Sequence, residues 1–187
     1  MNEPLLQPQI YVVCVDQNDY VMPTHNQWLD VTQPLEVLEQ SINQLVANAK
    51  PFAQEWCITD SKDLGYGLNF ESLAVIHERA LFIQKHGHAF LAACLISYDL
   101  EMAKERFEYD YQGAYKSQVD FASVHFRACY GSNIPVEAWS HITVDYESFE
   151  QALFSCRENE EAASYRALAL EGSVHVFRMQ CIDGEWM

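Results

Sequence analysis

Residues 9–15, QIYVVCV, are almost continuously apolar and rich in β-branched and aromatic side chains, a pattern that predicts a strand. A polar stretch follows to about His25, and two further short strands are predicted at 28–32 (WLDVT) and 55–59 (EWCIT). Between those two, Leu35, Leu38, Ile42, Leu45 and Ala49 recur on one helical face, with Glu36, Glu39 and Asn43 outside it. Thr32 is placed to cap this helix and Pro34 fits its first turn. The opening segment thus predicts a small sheet with one helix packed on it, closed by a loop that holds Gly65 and Gly67.

The pattern then turns helical. Leu73, Ile76, Ala80 and Ile83 mark one amphipathic helix that Gly87 can end, and His88–Ser97 is apolar enough for a short helix buried on most sides. Residues 99–111 predict an exposed helix with Leu100, Ala103 and Phe107 inside and Glu101, Glu105 and Glu108 outside. Ser117 and Asp120 have the form of a capping arrangement for a helix through Phe121, Val124 and Ala128 that stops near Gly131. Beyond Pro135 a turn and a brief extended piece lead into another helix within ITVDYESFEQALF, and 173–179 (SVHVFRM) read as a last strand. Strands, then helices, then both again give an α+β fold without internal repeats.

With 49% hydrophobic and 13% aromatic residues in 187, the chain can bury a core, which excludes disorder. No run reaches the length of a membrane span and the N-terminus lacks a signal-peptide pattern, so a cytoplasmic protein without membrane contact is expected. The six cysteines are widely spaced, without a CxxC pair, and read as reduced structural residues. No P-loop, dinucleotide glycine pattern, GxSxG or HExxH is present. His86 and His88 flank a helix end, where solvated imidazoles are the ordinary outcome, and Asp145 and Glu147 read as solvated loop acids. Neither catalysis nor a cofactor or metal is therefore expected.

Charge changes the picture. The net charge is −16, and it is spread along the chain: six acids and no base before Lys50, seven against four over 50–103, fourteen against seven over 104–187. Without a basic cluster the chain itself should bind no nucleic acid. Self-repulsion on this scale serves either solubility or a partner built to hold polyanions. Outward carboxylates four and three residues apart on a helix rise by about 6 Å and about 4.5 Å. A phosphate strand carries a charge every ~3.4 Å, so the row is sparser by about a factor of two. Lys104 stands to pair with Glu101 and Glu108.

Five segments, in order, resemble the ArdA antirestriction family: QIYVVCV with QWLDVT at 27–32, QEWCITD at 54–60, YQGAYKSQVDFA at 111–122, IPVEAWSHITVDYESFEQAL at 134–153 and GSVHVF at 172–177. The chain departs from the family where Thr59 and Ser61 stand for a histidine and a tyrosine, and over 154–170, which reads as an insertion or divergent helix. The tail QCIDGEWM is extra.

The resemblance implies an elongated chain of three small domains, 1–69, 70–112 and 113–187, pairing as a homodimer through the last. It implies an acidic mimic of double-stranded DNA, carried on mobile elements, that occupies the DNA-binding groove of type I restriction–modification enzymes. The carboxylates expected to form that surface are Asp16, Asp19, Glu36, Glu39, Asp60, Asp63, Asp99, Glu101, Glu105, Glu108, Asp110, Asp120, Glu137, Asp145, Glu147, Glu150, Glu158, Glu160 and Glu161. Aromatics at Tyr111, Tyr115, Phe121, Phe126, Tyr130 and Trp139 are the dimerisation candidates. Two other readings stay open: an acidic protein–protein adaptor, and a mimic aimed at a CRISPR effector, a repressor or a nucleoid protein.

Overall fold

Strand β1 (Gln9–Asp16) is the centre of a three-stranded antiparallel sheet in the order β2–β1–β3, with β2 at Val21–Asp30 and β3 at Ala53–Lys62. The computed structural model describes residues 6–16, 20–68, 71–155, 164–179, 181–182 and 185–186. Ile10, Val12 and Cys14 alternate along β1 and are fully buried. Cys14 packs with Ala49 and Ala53, with Leu45 and Val46 of helix α1 (Leu35–Asn48) beside them. The second strand begins well before the expected Trp28. Pairing of Val15 with Val21 and Val13 with Asn26 makes strand out of residues whose polarity suggested a loop. As an edge strand, β2 can also accommodate Pro23. Thr32 does not cap α1. Its N–H and hydroxyl both bond Asp30 Oδ1, at 2.9 and 2.7 Å, so Pro34 takes the cap position without a side-chain bond.

Helices α2 (Leu73–His86) and α3 (His88–Leu95) meet at Gly87, whose φ of 64° admits no ordinary side chain without strain. The HGH motif departs from expectation here: His88 is buried and His86 stacks on Phe82 at 5.9 Å. Burial, with Lys85 nearby, lowers the His86 pKa. Before α2, the segment 63–68 takes positive φ at Asp63, Gly65 and Gly67. A β-carbon on Gly67 would lie 2.5 Å from the Tyr98 carbonyl oxygen, and one on Gly65 would lie 2.8 Å from Cys94 Cβ. The loop is thus pressed against the end of α3 and the turn after it. Beneath it Arg79, fully buried, donates to the carbonyls of Leu64 (3.3 Å) and Tyr66 (2.9 Å) and pairs with Glu71. Because the backbone cannot yield at either point, Gly67→Ala is expected to cost at least about 1–3 kcal/mol of stability. A denaturant midpoint equal to that of the unmodified chain would contradict that fit.

Contacts divide the chain into two compact units, residues 1–105 and 106–187. The first ends with α4 (Leu100–Glu105). The expected α-helix over 99–111 stops there: Arg106–Asp110 form a π turn that buries Arg106 and Asp110. In the second unit, β4 (Tyr111–Tyr115), β5 (Tyr165–Leu170) and β6 (Ser173–Arg178) form a sheet in the order β4–β6–β5. Its helices are α5 (Gln118–Tyr130) and α6 (Tyr146–Phe154), joined by 3-10 turns at Gly131–Asn133 and Val136–Ser140. Ser117 Oγ accepts from Asp120 N–H at 3.0 Å, the cap expected from the sequence. Residues 165–170, expected within an insertion or divergent helix, are an edge strand instead. Strands β7 (Cys181–Ile182) and β8 (Glu185–Trp186) pair antiparallel.

Candidate functional site

Ten of the nineteen expected surface carboxylates are exposed: Glu36 and Glu39 on α1, Asp60 on β3, Asp99, Glu101, Glu105 and Glu108 along the α4 segment, and Glu137, Asp145 and Glu147 in the second unit. Asp16, Asp63, Asp120 and Glu150 are half-buried. Asp110 is a correction, since the π turn carries it inward and leaves it 8% exposed. Asp19, Glu158, Glu160 and Glu161 lie outside the described residues. The row over Glu101, Glu105 and Glu108 also differs from a straight α-helical ladder, because its last member sits past the end of α4.

Aspartates and glutamates divide the work. Asp16 accepts a backbone N–H from Tyr20 (3.0 Å), Asp30 from Thr32 (2.9 Å), Asp60 from Ser61 (2.7 Å) and Asp63 from Gln7 (3.0 Å). Asp99 accepts from Met102 (2.8 Å), Asp120 from Lys116 (3.3 Å) and Asp145 from Ser148 (3.0 Å). One methylene places an aspartate oxygen within reach of nearby backbone, whereas the longer glutamate extends past it. Among the described residues no glutamate accepts a backbone N–H. Their partners are side chains: Glu71 with Arg79, and Glu78 and Glu101 with Lys104 at 2.8 and 2.7 Å. Lys104 therefore pairs with Glu101 as expected but with Glu78 in place of Glu108, and those hydrogen bonds, Glu101 first, raise its pKa.

Asp145 shows what a backbone bond does to an exposed acid. The Ser148 N–H, and then its hydroxyl, hold the carboxyl below its ordinary 3.8. The N-cap contribution to α6 is therefore complete above that value and is lost as pH falls through the lower, folded one.

The aromatic candidates prove to be chiefly internal. Tyr111 hydroxyl meets His175 Nδ1 at 3.0 Å and its ring lies 5.2 Å from Phe177. Tyr115 donates to the Gln112 carbonyl at 2.9 Å and stands edge-on to Phe121. Phe121 is 3% exposed, which corrects its assignment to a pairing surface. Phe126 packs on Phe149 and Tyr130, and Trp139 is half-buried. Only Tyr130 of the six is largely exposed. Val124, which the helical pattern set in line with Phe121, is exposed, and so are Val136 and Ile142, two apolar residues in polar surroundings with no periodic signal to find them.

No three histidine, cysteine or acidic side chains are grouped to hold a metal among the described residues, and no helix there is long and apolar enough to cross a membrane. Four described cysteines are free thiols. Burial pushes the Cys94 thiol up to about 12, and raises Cys14 as well, so neither is a ready nucleophile.

A model of the ArdA antirestriction protein family matches residues 10–164, most of the chain, and the protein belongs to that family. No curated protein and no solved structure matches it.

Proposed function

We propose that this member of the ArdA antirestriction family imitates the charge of double-stranded DNA and fills the DNA-binding groove of type I restriction–modification enzymes. The supporting observation is the placement of the carboxylates. The ten exposed ones occur in both units, on helices, strand and turns, rather than in one detachable tail. A groove that binds a phosphate backbone through many lysines and arginines meets many separated charges, each contributing a small screened term. The same reading makes the protein cytoplasmic and non-catalytic, arranged as three domains over 1–69, 70–112 and 113–187. It forms a homodimer through the last of them, using exposed apolar groups such as Tyr130 and Val136.

The test is inhibition of DNA cleavage by a purified type I enzyme at two salt concentrations. Inhibition that competes with DNA and weakens steeply with salt is expected. Salt-independent inhibition would favour an aromatic adaptor. Failure to inhibit, together with salt-sensitive capture of another DNA-binding protein, would move the target elsewhere.

A further inference from the structure

The loop at 63–68 is held far more firmly than a surface connection requires. Three of its residues take positive φ, Arg79 is buried beneath it on two carbonyls, and Gly67 lies against the Tyr98 carbonyl with no room for a β-carbon. What this scaffold displays is two rings. Tyr66 is 68% exposed at the loop tip, and Tyr98 is 83% exposed on the turn it packs against. Backbone contact between the two turns keeps both rings on one part of the first unit. Each ring has a carboxylate close in sequence. Asp99 follows Tyr98, and Asp63 opens the loop that carries Tyr66. Each of those acids uses one oxygen for a backbone bond, Oδ1 to Met102 and Oδ2 to Gln7, and keeps the other. Placing a tyrosine hydroxyl and ring in water needs no such support. An exposed ring on a rigid turn that also carries a carboxylate offers a planar cation both a face and an acceptor.

We propose that Tyr66 and Tyr98, with Asp63 and Asp99, form a docking platform for arginine side chains of a basic protein partner. A guanidinium stacks on an aromatic face and gives its edge N–H groups to a carboxylate, whereas an ammonium is compact, strongly hydrated and gains less from the ring. The partner is identified by charge complementarity, since the chain carries −16. This proposal deepens the reading of a basic, DNA-binding target by assigning aromatic anchors within an otherwise diffuse acidic surface. Anchored rings of this kind are where interfaces concentrate their affinity.

The test uses the full chain titrated with an oligo-arginine peptide and an oligo-lysine peptide of equal length at one salt concentration. The unmodified protein should prefer arginine by about threefold to tenfold. The double change Tyr66→Ala and Tyr98→Ala should abolish that preference and leave lysine binding unchanged, with thermal unfolding unaffected because both rings are exposed. Tyr66→Phe with Tyr98→Phe should keep it. Phe52→Ala removes an equally exposed ring, at 68%, that lies outside both the 63–68 loop and the Tyr98 turn, and should also keep it. Equal binding of the two peptides, a preference that survives the double alanine change, or a loss equally large from Phe52→Ala would overturn the platform. Failure to inhibit a type I enzyme would instead remove the target while leaving the peptide preference to be decided by these titrations.

Discussion

Changing Glu101, Glu105, Glu108, Glu147 and Glu150 together to glutamine should weaken inhibition of a type I restriction enzyme by roughly ten- to a thousand-fold and flatten its salt slope. Glu105→Gln or Glu150→Gln alone should weaken it by less than about fivefold. Both expectations follow from about 0.2–1 kcal/mol for each screened charge pair, summed over separated sites. Glutamine keeps the side-chain volume. None of these five glutamates bonds the backbone, so the fold should survive, which circular dichroism can verify. Inhibition curves at two salt concentrations decide the matter. Abolition by one of the single changes, or full potency and an unchanged slope in the fivefold variant, would refute charge mimicry while leaving family membership intact.

Replacing Arg79 by methionine should destabilise the first unit by about 3–5 kcal/mol, a fall of the order of 10 °C in its melting temperature. The loss has two parts. Glu71, whose side chain is only 8% exposed, would lose its ion-pair partner, and the Leu64 and Tyr66 carbonyls would lose their donor. Methionine at both Glu71 and Arg79 should recover part of that loss, since removing the pair is less costly than orphaning one member. Scanning calorimetry of the single and double variants separates these outcomes. A single variant as stable as the parent, or a double variant no better than the single, would show that the pair does not hold the loop.

Sequence periodicity revealed the elements whose burial is one-sided. Helix α2 with its end at Gly87, the buried α3, the capped α5 and the strands β1 and β6 all carry a repeating apolar signal. Elements that depend on a neighbour were harder to read. Strand β5 alternates small residues, Ala167 and Ala169, with larger ones, and only its pairing with β6 fixes it as extended. In β4, Gly113 interrupts a five-residue strand that β6 holds in place. The π turn at 106–110 reflects side chains brought inward, Arg106 and Asp110, which polarity alone assigns to the surface. Arg79 was legible in part, lying three residues after Ile76 and four before Ile83 on the buried face of α2, yet a charge at such a position shows its role only beside Glu71. Of the acidic surface, Glu36, Glu39, Glu101 and Glu105 follow from helical phase, whereas the backbone ties of the aspartates require coordinates.

That division between the two acids bears on how such a surface can drift. A glutamate at 39 or 105 bonds no backbone and lies outside a helix's first turn, so it can be lost at one position and gained at another nearby while the total charge is conserved. An aspartate at 99 or 145 also caps a helix start, and the one at 63 ties its loop to the Gln7 backbone, so replacement disturbs shape along with charge. The glutamates are thus the movable part of the acidic surface. The aspartates are its fixed landmarks.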